Sequence, residues 1–315
     1  MSRQVEDKLI KMPIIKEVVK FLKSIRLPGF EGLSIYDLSE MYIKGIILGT
    51  LNIRASAISF SFFMALFPFL LFILILIPHI PVTGFENDFL LFLESFLPPT
   101  TTDFFLKNIF ENISGGSVIS SVFVLSILLM TNGVNAVFSG FKNSYHKQLN
   151  RNIFKQYIYA LGVAVILALL LIFTVIVLTA FQVSVIHPLF ENLESQGITE
   201  SNTELFWVIF SKYFFSLAML YLGTSLLYYF GTVDRKISKF FSAGALFTTI
   251  LIIVSSYLFG LYIENFGQYN KLYGSIGALL VLMFYLWLNA NILLLGFELN
   301  VTLRTLKRAH QKVTK

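Results

Sequence analysis

One stretch of the sequence, residues 55–77, contains no charged side chain, and this stretch constrains the fold more than any other feature. Its length is close to the ~20 residues that a helix needs to cross the hydrocarbon core of a bilayer. Within it, Ala57, Ser61 and Ala65 recur at every fourth position, so they form a strip of small side chains along which another helix can approach. Pro68 also lies in this span and predicts a kink, because proline removes a backbone hydrogen bond.

Five more charge-poor stretches follow the first one. The composition agrees with a membrane protein, since 56% of the residues are hydrophobic and only 13% are charged, against about 25% charged in soluble domains. We therefore predict an all-α fold, a polytopic membrane bundle of six transmembrane helices with additional amphipathic helices at the interface. The predicted spans cover about residues 55–80, 117–141, 156–186, 205–232, 240–263 and 272–300.

The segments outside the spans predict the remaining organisation. Residues 1–53 contain amphipathic helices, of which the first begins at Pro13 and carries several lysines. Such a basic helix either lies on an anionic membrane surface or packs against the domain. Residues 85–113 are apolar but interrupted by two prolines, so we predict a helical hairpin on the outer side. Residues 54–303 then form the membrane domain and residues 304–315 a basic cytoplasmic tail.

The distribution of lysine and arginine predicts the orientation. If the N-terminus is inside, 21 of the 24 basic residues lie on the inner side of the membrane, and only Lys107, Lys212 and Lys271 lie outside. This bias predicts that both termini are cytoplasmic. The net charge of +6 is explained by this topology, so it does not indicate a nucleic-acid partner. The expected partners are membrane lipids, while the sequence leaves protein partners and the oligomeric state open.

Several motifs carry a resemblance to a known family. The run from Tyr273 opens with Tyr-Gly-Ser-Ile-Gly and closes with Leu-Leu-Gly-Phe-Glu-Leu-Asn at Asn300, and it resembles the last span of the YihY/BrkB family of bacterial inner-membrane proteins. The Leu-Phe-Pro at Pro68 and the Gly-Val-Asn-Ala-Val from Gly133 are similar too, and Phe297 stands where alanine is usual. The resemblance covers residues 33–303 and implies a six-helix envelope protein. It also implies the functions associated with members, which are serum resistance and the transport of lipid or lipopolysaccharide.

The family was long labelled ribonuclease BN, but the residues do not favour an enzyme. Metal-dependent hydrolysis of RNA needs clustered ligands, whereas the four histidines are scattered and there is no cysteine. The sequence also has no phosphate-binding glycine loop of the Walker type and no nucleophile elbow. We therefore expect no catalytic residue, no metal and no cofactor. The prediction is transport of a lipid or another amphiphile across the inner membrane; the alternatives are a non-transporting scaffold for envelope integrity and a small-solute carrier.

Polar side chains at membrane depth are the candidate site residues, because they are unfavourable there unless they pair or line a path. Glu298 is the only carboxylate in the last apolar run, Asn291 lies seven residues before it, and Asn289 and Asn300 form a neighbouring strip. Glu298 either belongs to a substrate path or pairs with a cation, for which Arg54 is the candidate. The other candidate residues for a path or for contacts between helices are Ser61, Asn132 and Asn135.

Overall fold

The computed structural model describes residues 13–26, 34–36, 39–40, 50–76, 116–144, 147–148, 152–186, 203–232, 239–266 and 275–313. The helices in these ranges are α1 (Pro13–Ser24), α2 (Leu51–Leu76), α3 (Gly116–Lys142), α4 (Ile153–Phe181), α5 (Thr203–Gly231), α6 (Ala243–Phe266) and α7 (Ser275–Val313). A π-helical turn, Gln182–Ile186, extends α4. Two strands of two residues each, β1 (Asn143–Ser144) and β2 (Lys147–Gln148), pair antiparallel between α3 and α4.

Six of these helices are long and apolar enough to cross a membrane, which confirms the predicted all-α bundle with six spans. The apolar segments are Leu51–Leu70, Phe123–Lys142, Ile153–Ile186, Phe206–Gly231, Ala243–Ile263 and Leu279–Arg304. The short strand pair was not predicted. The last helix continues from the sixth span to Val313, so the basic tail extends the same helix. The predicted outer hairpin at residues 85–113 lies outside the described residues.

The N-terminal helix α1 leaves an apolar side chain uncovered. The Phe21 side chain is 65% exposed among the described residues, and the Lys23 ammonium lies 4.6 Å from the centroid of the Tyr36 ring. The membrane-surface and the packed arrangements of α1 both stay predictions.

The core lies mainly between α2, α3, α4 and α7. Helix α2 packs against both α3 and α7, and α6 packs along α7. The fully buried side chains at the centre of these contacts include Ile58 of α2, Phe141 of α3 and Leu294 of α7. The first half of α5 is peripheral, and its Phe206, with 62% of the residue exposed, faces outward. Lipid tails are as apolar as such side chains, so this exposure is normal for a membrane helix.

The small residues of α2 contact α3 over only part of the predicted strip. A Cβ atom on Gly133 of α3 would lie 3.2 Å from the Ala65 Cβ and 3.7 Å from the Ser61 carbonyl oxygen, so the two helices approach closely there. Ala57, however, is exposed. Near this end of α2 the contact with α3 is made by Ile58 and Arg54 instead, because a Cβ atom on Gly140 would lie 2.8 Å from the Ile58 Cδ1 and Arg54 donates to the Gly140 carbonyl oxygen. Helix α2 continues through the buried Pro68 to Leu76.

Candidate functional site

A buried ion pair joins three helices at one end of the bundle. The Arg54 Nη2 of α2 donates to the Glu298 Oε1 of α7 at 3.0 Å, and its Nη1 donates to the Gly140 carbonyl oxygen of α3 at 2.9 Å. The two charged side chains are only 6% and 11% exposed. The structure thus brings together the two charges that the sequence suggested as partners. We call this end of the bundle, where Arg54 and Glu298 meet, the Glu298 end.

The position of Arg54 depends on a glycine in the neighbouring helix. A Cβ atom on Gly140 would lie 2.8 Å from the Ile58 Cδ1 and 3.3 Å from the Leu294 Cδ2. Glycine therefore allows α3 to come close enough for its carbonyl group to accept from Arg54. Breaking a buried ion pair by removing one partner is unfavourable by about 3–5 kcal/mol, because the other charge stays buried. The arrangement suits a fixed connection between α2, α3 and α7.

Helices α6 and α7 touch through their backbones at the same end. A Cβ atom on Gly296 would collide with the Thr248 hydroxyl oxygen and would lie 2.6 Å from the Tyr228 hydroxyl oxygen. The Tyr228 hydroxyl group of α5 donates to the Leu293 carbonyl oxygen at 2.7 Å and also contacts the Thr248 hydroxyl group. One tyrosine therefore links α5 to both α6 and α7, and no side chain larger than hydrogen fits at Gly296.

Asn300 caps the start of α6. Its Oδ1 accepts from the Gly244 N–H at 2.9 Å, and its Nδ2 donates to the Ser242 hydroxyl oxygen at 2.9 Å. Ser242 also accepts from the Ala245 N–H at 3.2 Å. The first N–H groups of a helix have no partner within that helix, so a cap that satisfies them stabilises its start. Asn300 therefore connects α7 to the start of α6.

Phe297 fills the space between these contacts. Its ring stacks on the Phe141 ring with centroids 4.0 Å apart and an angle of 5° between the planes. The Tyr228 ring meets both edge-on, at 5.6 Å and 5.9 Å. Phe297 therefore completes an aromatic cluster that is closed to solvent.

A second group of polar contacts joins α3 to α4. The Gln156 Nε2 donates to the Asn135 Oδ1 at 2.8 Å and to the Ser139 hydroxyl oxygen at 3.0 Å. The Tyr157 hydroxyl group donates to the Asn132 Oδ1 at 3.3 Å. Both predicted asparagines of α3 thus accept hydrogen bonds from the first turns of α4, which is how polar side chains commonly connect membrane helices.

Two predicted site residues bond within their own helices instead. The Asn291 Nδ2 donates to the Trp287 carbonyl oxygen at 2.8 Å, and the Ser61 hydroxyl group donates to the Ala57 carbonyl oxygen at 2.9 Å. Asn291 shares a face with Glu298 by sequence spacing, but it forms none of the contacts with Arg54 described above. These two residues do not belong to the polar cluster at the Glu298 end.

A cavity of about 500 Å³, partly open to its surroundings, lies between five of the membrane helices. We call it the central cavity. Its walls come from α2, α4, α5, α6 and α7 and are almost entirely apolar. Each of these helices contributes apolar wall residues, for example Phe62, Leu170, Met219, Ile252 and Leu286. A volume of this size falls within the ~300–1,000 Å³ typical of ligand pockets. No wall residue carries a charge.

Asn289 is the polar wall residue with an unused hydrogen-bond acceptor. Its Nδ2 donates to the Tyr285 carbonyl oxygen at 2.9 Å, while its buried Oδ1 has no hydrogen-bond partner among the described residues. Asn289 precedes Glu298 by nine residues, which places it roughly 13 Å along the helix from the ion pair. An unpaired buried acceptor is unfavourable by about 1–3 kcal/mol, so a donor from a ligand would be stabilised there.

The other polar groups of the wall are already satisfied within the protein. Thr174 donates to the Leu170 carbonyl oxygen and Ser216 to the Lys212 carbonyl oxygen. The Thr224 hydroxyl group donates to the Tyr221 carbonyl oxygen at 3.0 Å. The central cavity therefore offers an apolar surface and one acceptor.

Some of these residues were not found from the sequence. Gln156 could have been found, because it is a polar residue near the start of an otherwise apolar span. Tyr228 had no such signal, since tyrosine is common in membrane helices and its partners come from α6 and α7. Among the described residues, no three histidine, cysteine, aspartate or glutamate side chains come together in a group that could hold a metal ion.

Comparisons with known proteins agree with this architecture. The family model described as "Virulence factor BrkB" matches residues 47–315. The ribonuclease-like protein YfkH of Bacillus subtilis is 26% identical over 257 residues, which cover 81% of this chain and 90% of YfkH. A UPF0761 membrane protein of Aggregatibacter aphrophilus is 23% identical over 256 residues, covering 79% of this chain and 85% of that protein. No solved structure matches the chain.

Proposed function

The chain belongs to the BrkB family of membrane proteins, and we propose that it moves a lipid or another amphiphile across the bacterial inner membrane. The observation that carries this proposal is the central cavity of about 500 Å³ between the membrane helices. A protein that only held other proteins together would have no need for an apolar cavity between its helices, because membrane helices associate through close packing. A small polar solute would need more polar groups than the wall offers.

The proposed orientation places the Glu298 end at the cytoplasmic side. The support is the concentration of lysine and arginine in the segments next to that end, including Lys142, Lys155, Lys239 and Arg304. Under this orientation both termini are cytoplasmic, residues 1–53 lie at the inner surface and residues 54–303 form the membrane domain. The ion pair then closes the cytoplasmic side of the bundle beneath the central cavity.

We assign a structural role to the polar cluster at the Glu298 end and a binding role to the central cavity. The support is that Arg54, Glu298 and Asn300 each contact a partner in another helix, whereas the Asn289 Oδ1 has none among the described residues. A polar group that lines a path must exchange partners with a substrate, so an unpaired group suits that role better than one held in an ion pair.

We also propose that the chain is not a nuclease, although YfkH has a ribonuclease-like name. The support comes from the sequence, in which the histidines stand far apart at positions 79, 146, 187 and 310 and cysteine is missing. Incubation of the purified protein with structured RNA in the presence of Mg²⁺, Mn²⁺ or Zn²⁺ tests this. We expect no cleavage above a preparation from cells without the gene.

Lipid translocation in proteoliposomes tests the main proposal. Fluorescent phospholipids on the outer leaflet are quenched chemically, and the rate at which the inner pool becomes accessible is followed. We expect the native protein to increase this rate and Gly223→Phe to abolish the increase, because Gly223 lines the central cavity and a Cβ atom there contacts Leu167 and Leu170 at ordinary distances.

The matched control is Gly260→Phe, since no atom lies within 4 Å of a Cβ atom at Gly260. This variant adds the same side chain to a lipid-facing position, so it should behave as the native protein. If the translocation rate with the native protein equals that of empty vesicles for both anionic and zwitterionic probes, the proposal of phospholipid transport is wrong. A scaffold function for envelope integrity would then be the better proposal.

A further inference from the structure

We propose that the central cavity and the Lys212–Gln182 pair beside it form one binding site for a long-chain fatty acid carboxylate. The hydrocarbon chain would occupy the cavity, and the carboxylate would bind to Lys212 and Gln182. This inference depends on the proposed function in one respect: the molecule that is transported would occupy the same site. The binding itself can be measured without transport.

The walls of the cavity select a hydrocarbon chain. Leu167, Leu170 and Leu171 of α4 face Met219 and Leu220 of α5 across it. The hydroxyl groups among the wall residues donate to carbonyl groups of their own helices, as described above. Burial of an apolar chain against such a surface is favourable, whereas a charged group there would lack a counter-charge. The charged part of a ligand must therefore lie outside the cavity.

Lys212 is placed to receive that charged part. It precedes the wall residue Ser216 by four residues on α5, so it lies one helical turn beyond the cavity on the same face. Its Nζ donates to the Gln182 Oε1 at 3.0 Å. Gln182 follows the wall residues Thr174 and Val175 by about two turns of α4. The pair thus bridges α4 and α5 at the end of the cavity that lies away from Glu298.

The chemistry of the pair fits a carboxylate. An ammonium group has three N–H donors and the side-chain amide of glutamine has two, so donors remain after the bond between Lys212 and Gln182. None of the carboxylates in the described residues forms an ion pair with Lys212. A carboxylate has two oxygens that can accept from two neighbouring donors, and bonds to a charged donor are stronger than neutral ones.

The dimensions of the cavity favour a ligand with a single hydrocarbon chain. The wall residues on α5 extend from Ser216 to Leu227, which corresponds to roughly 16 Å along the helix. This length suits one extended hydrocarbon chain. The volume of about 500 Å³ lies in the lower part of the ~300–1,000 Å³ range of ligand pockets, which favours one chain over the two chains of a phospholipid.

Photochemical labelling tests the site. The full chain is reconstituted in nanodiscs of zwitterionic phosphatidylcholine and incubated with palmitate that carries a diazirine near the end of its chain. After irradiation, the labelled residues are identified by mass spectrometry. We expect adducts on wall residues such as Leu170, Met219 and Leu286, and we expect unlabelled palmitate to compete. The matched probe is hexadecanol with the same diazirine, which has the chain without the charge.

Variants separate the two parts of the site. Lys212→Gln should weaken the apparent affinity for the palmitate probe on the order of tenfold, the loss of one charge-assisted bond, without changing labelling by the hexadecanol probe. Lys212→Arg should retain most of the affinity, and the exposed Lys239→Gln serves as the control for loss of a positive charge. Gly223→Phe should remove labelling by both probes, whereas Gly260→Phe should not.

The outcomes are distinguishable from those of the transport experiment. Labelling that is spread over lipid-facing residues and is unchanged in Gly223→Phe overturns the inference. Labelling in the cavity that is unaffected by Lys212→Gln overturns the assignment of the carboxylate to Lys212. If palmitate labels the site as expected but phospholipid translocation equals that of empty vesicles, the site stands and the proposed phospholipid transport is wrong.

Discussion

Two regions of α7, around Asn289 and around Glu298, differ in how their polar residues are used. At the Glu298 end, Glu298 and Asn300 contact α2 and α6, and Gly296 is packed so tightly that a Cβ atom would collide. Nine residues earlier, Asn289 lines a cavity of about 500 Å³ and its Oδ1 lacks a partner among the described residues. Polar residues of one type and on one helix thus have different roles. The contacts in space, rather than the residue type, distinguish them.

The largest expected effect is a loss of folding in Gly296→Leu. Ordinary overpacking destabilises by about 1–3 kcal/mol, but here the new side chain would displace both Thr248 and Tyr228 from their contacts. We expect little folded protein by size-exclusion chromatography in detergent. Gly162→Leu is the control, because no atom lies within 4 Å of a Cβ atom there. Equal yields for the two variants would contradict the close contact between α6 and α7.

The ion pair gives the next largest effect. We expect Glu298→Gln to destabilise by about 3–5 kcal/mol, since the Arg54 guanidinium would stay buried without its counter-charge. The thermal midpoint in detergent measures this. The double variant Arg54→Met, Glu298→Leu should be destabilised by less than the sum of the single variants. A Glu298→Gln protein with an unchanged midpoint and no translocation would instead place Glu298 in the substrate path.

Asn300→Ala should have a moderate effect on stability. Loss of an N-cap side chain is unfavourable by about 0.5–2 kcal/mol, and Asn300 caps α6 through the Gly244 N–H. The thermal midpoint should fall, and hydrogen exchange at the first turn of α6 should accelerate while exchange in α3 does not. Unchanged exchange at Gly244 would show that this cap does not contribute to the stability of α6.

Asn289→Leu should have the smallest effect on stability, and this would sharpen the contrast with Asn300. The substitution removes a buried acceptor that lacks a partner, so we expect a thermal midpoint that is equal to or above that of the native protein. Labelling by the palmitate probe in the cavity should persist, because the carboxylate lies outside. A midpoint that falls as far as in Asn300→Ala would mean that Asn289 is a structural contact as well.

Much of the fold could be predicted from the sequence because the bilayer imposes simple limits. A helix that crosses the membrane must be long, apolar and internally hydrogen-bonded, so six spans were recognisable from the gaps between charges. The short pair β1–β2 could not be recognised, since two paired residues produce no periodic pattern. The predicted strip included Ala57, which is exposed, because residue spacing along one helix does not tell which of its faces a second helix covers; α3 contacts Ile58 and Arg54 there.

The candidate site was predictable where a charge was involved. A pair between Arg54 and Glu298 was one of two alternatives for Glu298, because a buried charge needs a counter-charge, and the structure shows that contact. The asparagines could not be sorted in this way. Asn291 bonds within its own helix, Asn300 caps α6 and Asn289 faces the cavity. An amide group can satisfy any of these roles.

The sequence by itself determined that this chain is a six-helix membrane protein and that it belongs with the family of its closing motif, and it offered Arg54 as one candidate partner of Glu298. Only the tertiary structure decided where packing is complete and where it leaves a cavity. The physical reason is that hydrophobicity and charge are properties of single residues, whereas a void is a property of the space between helices. Gly223 and Gly296 are both glycines in apolar spans, yet Gly223 borders the cavity whereas Gly296 allows the backbones of α6 and α7 to touch.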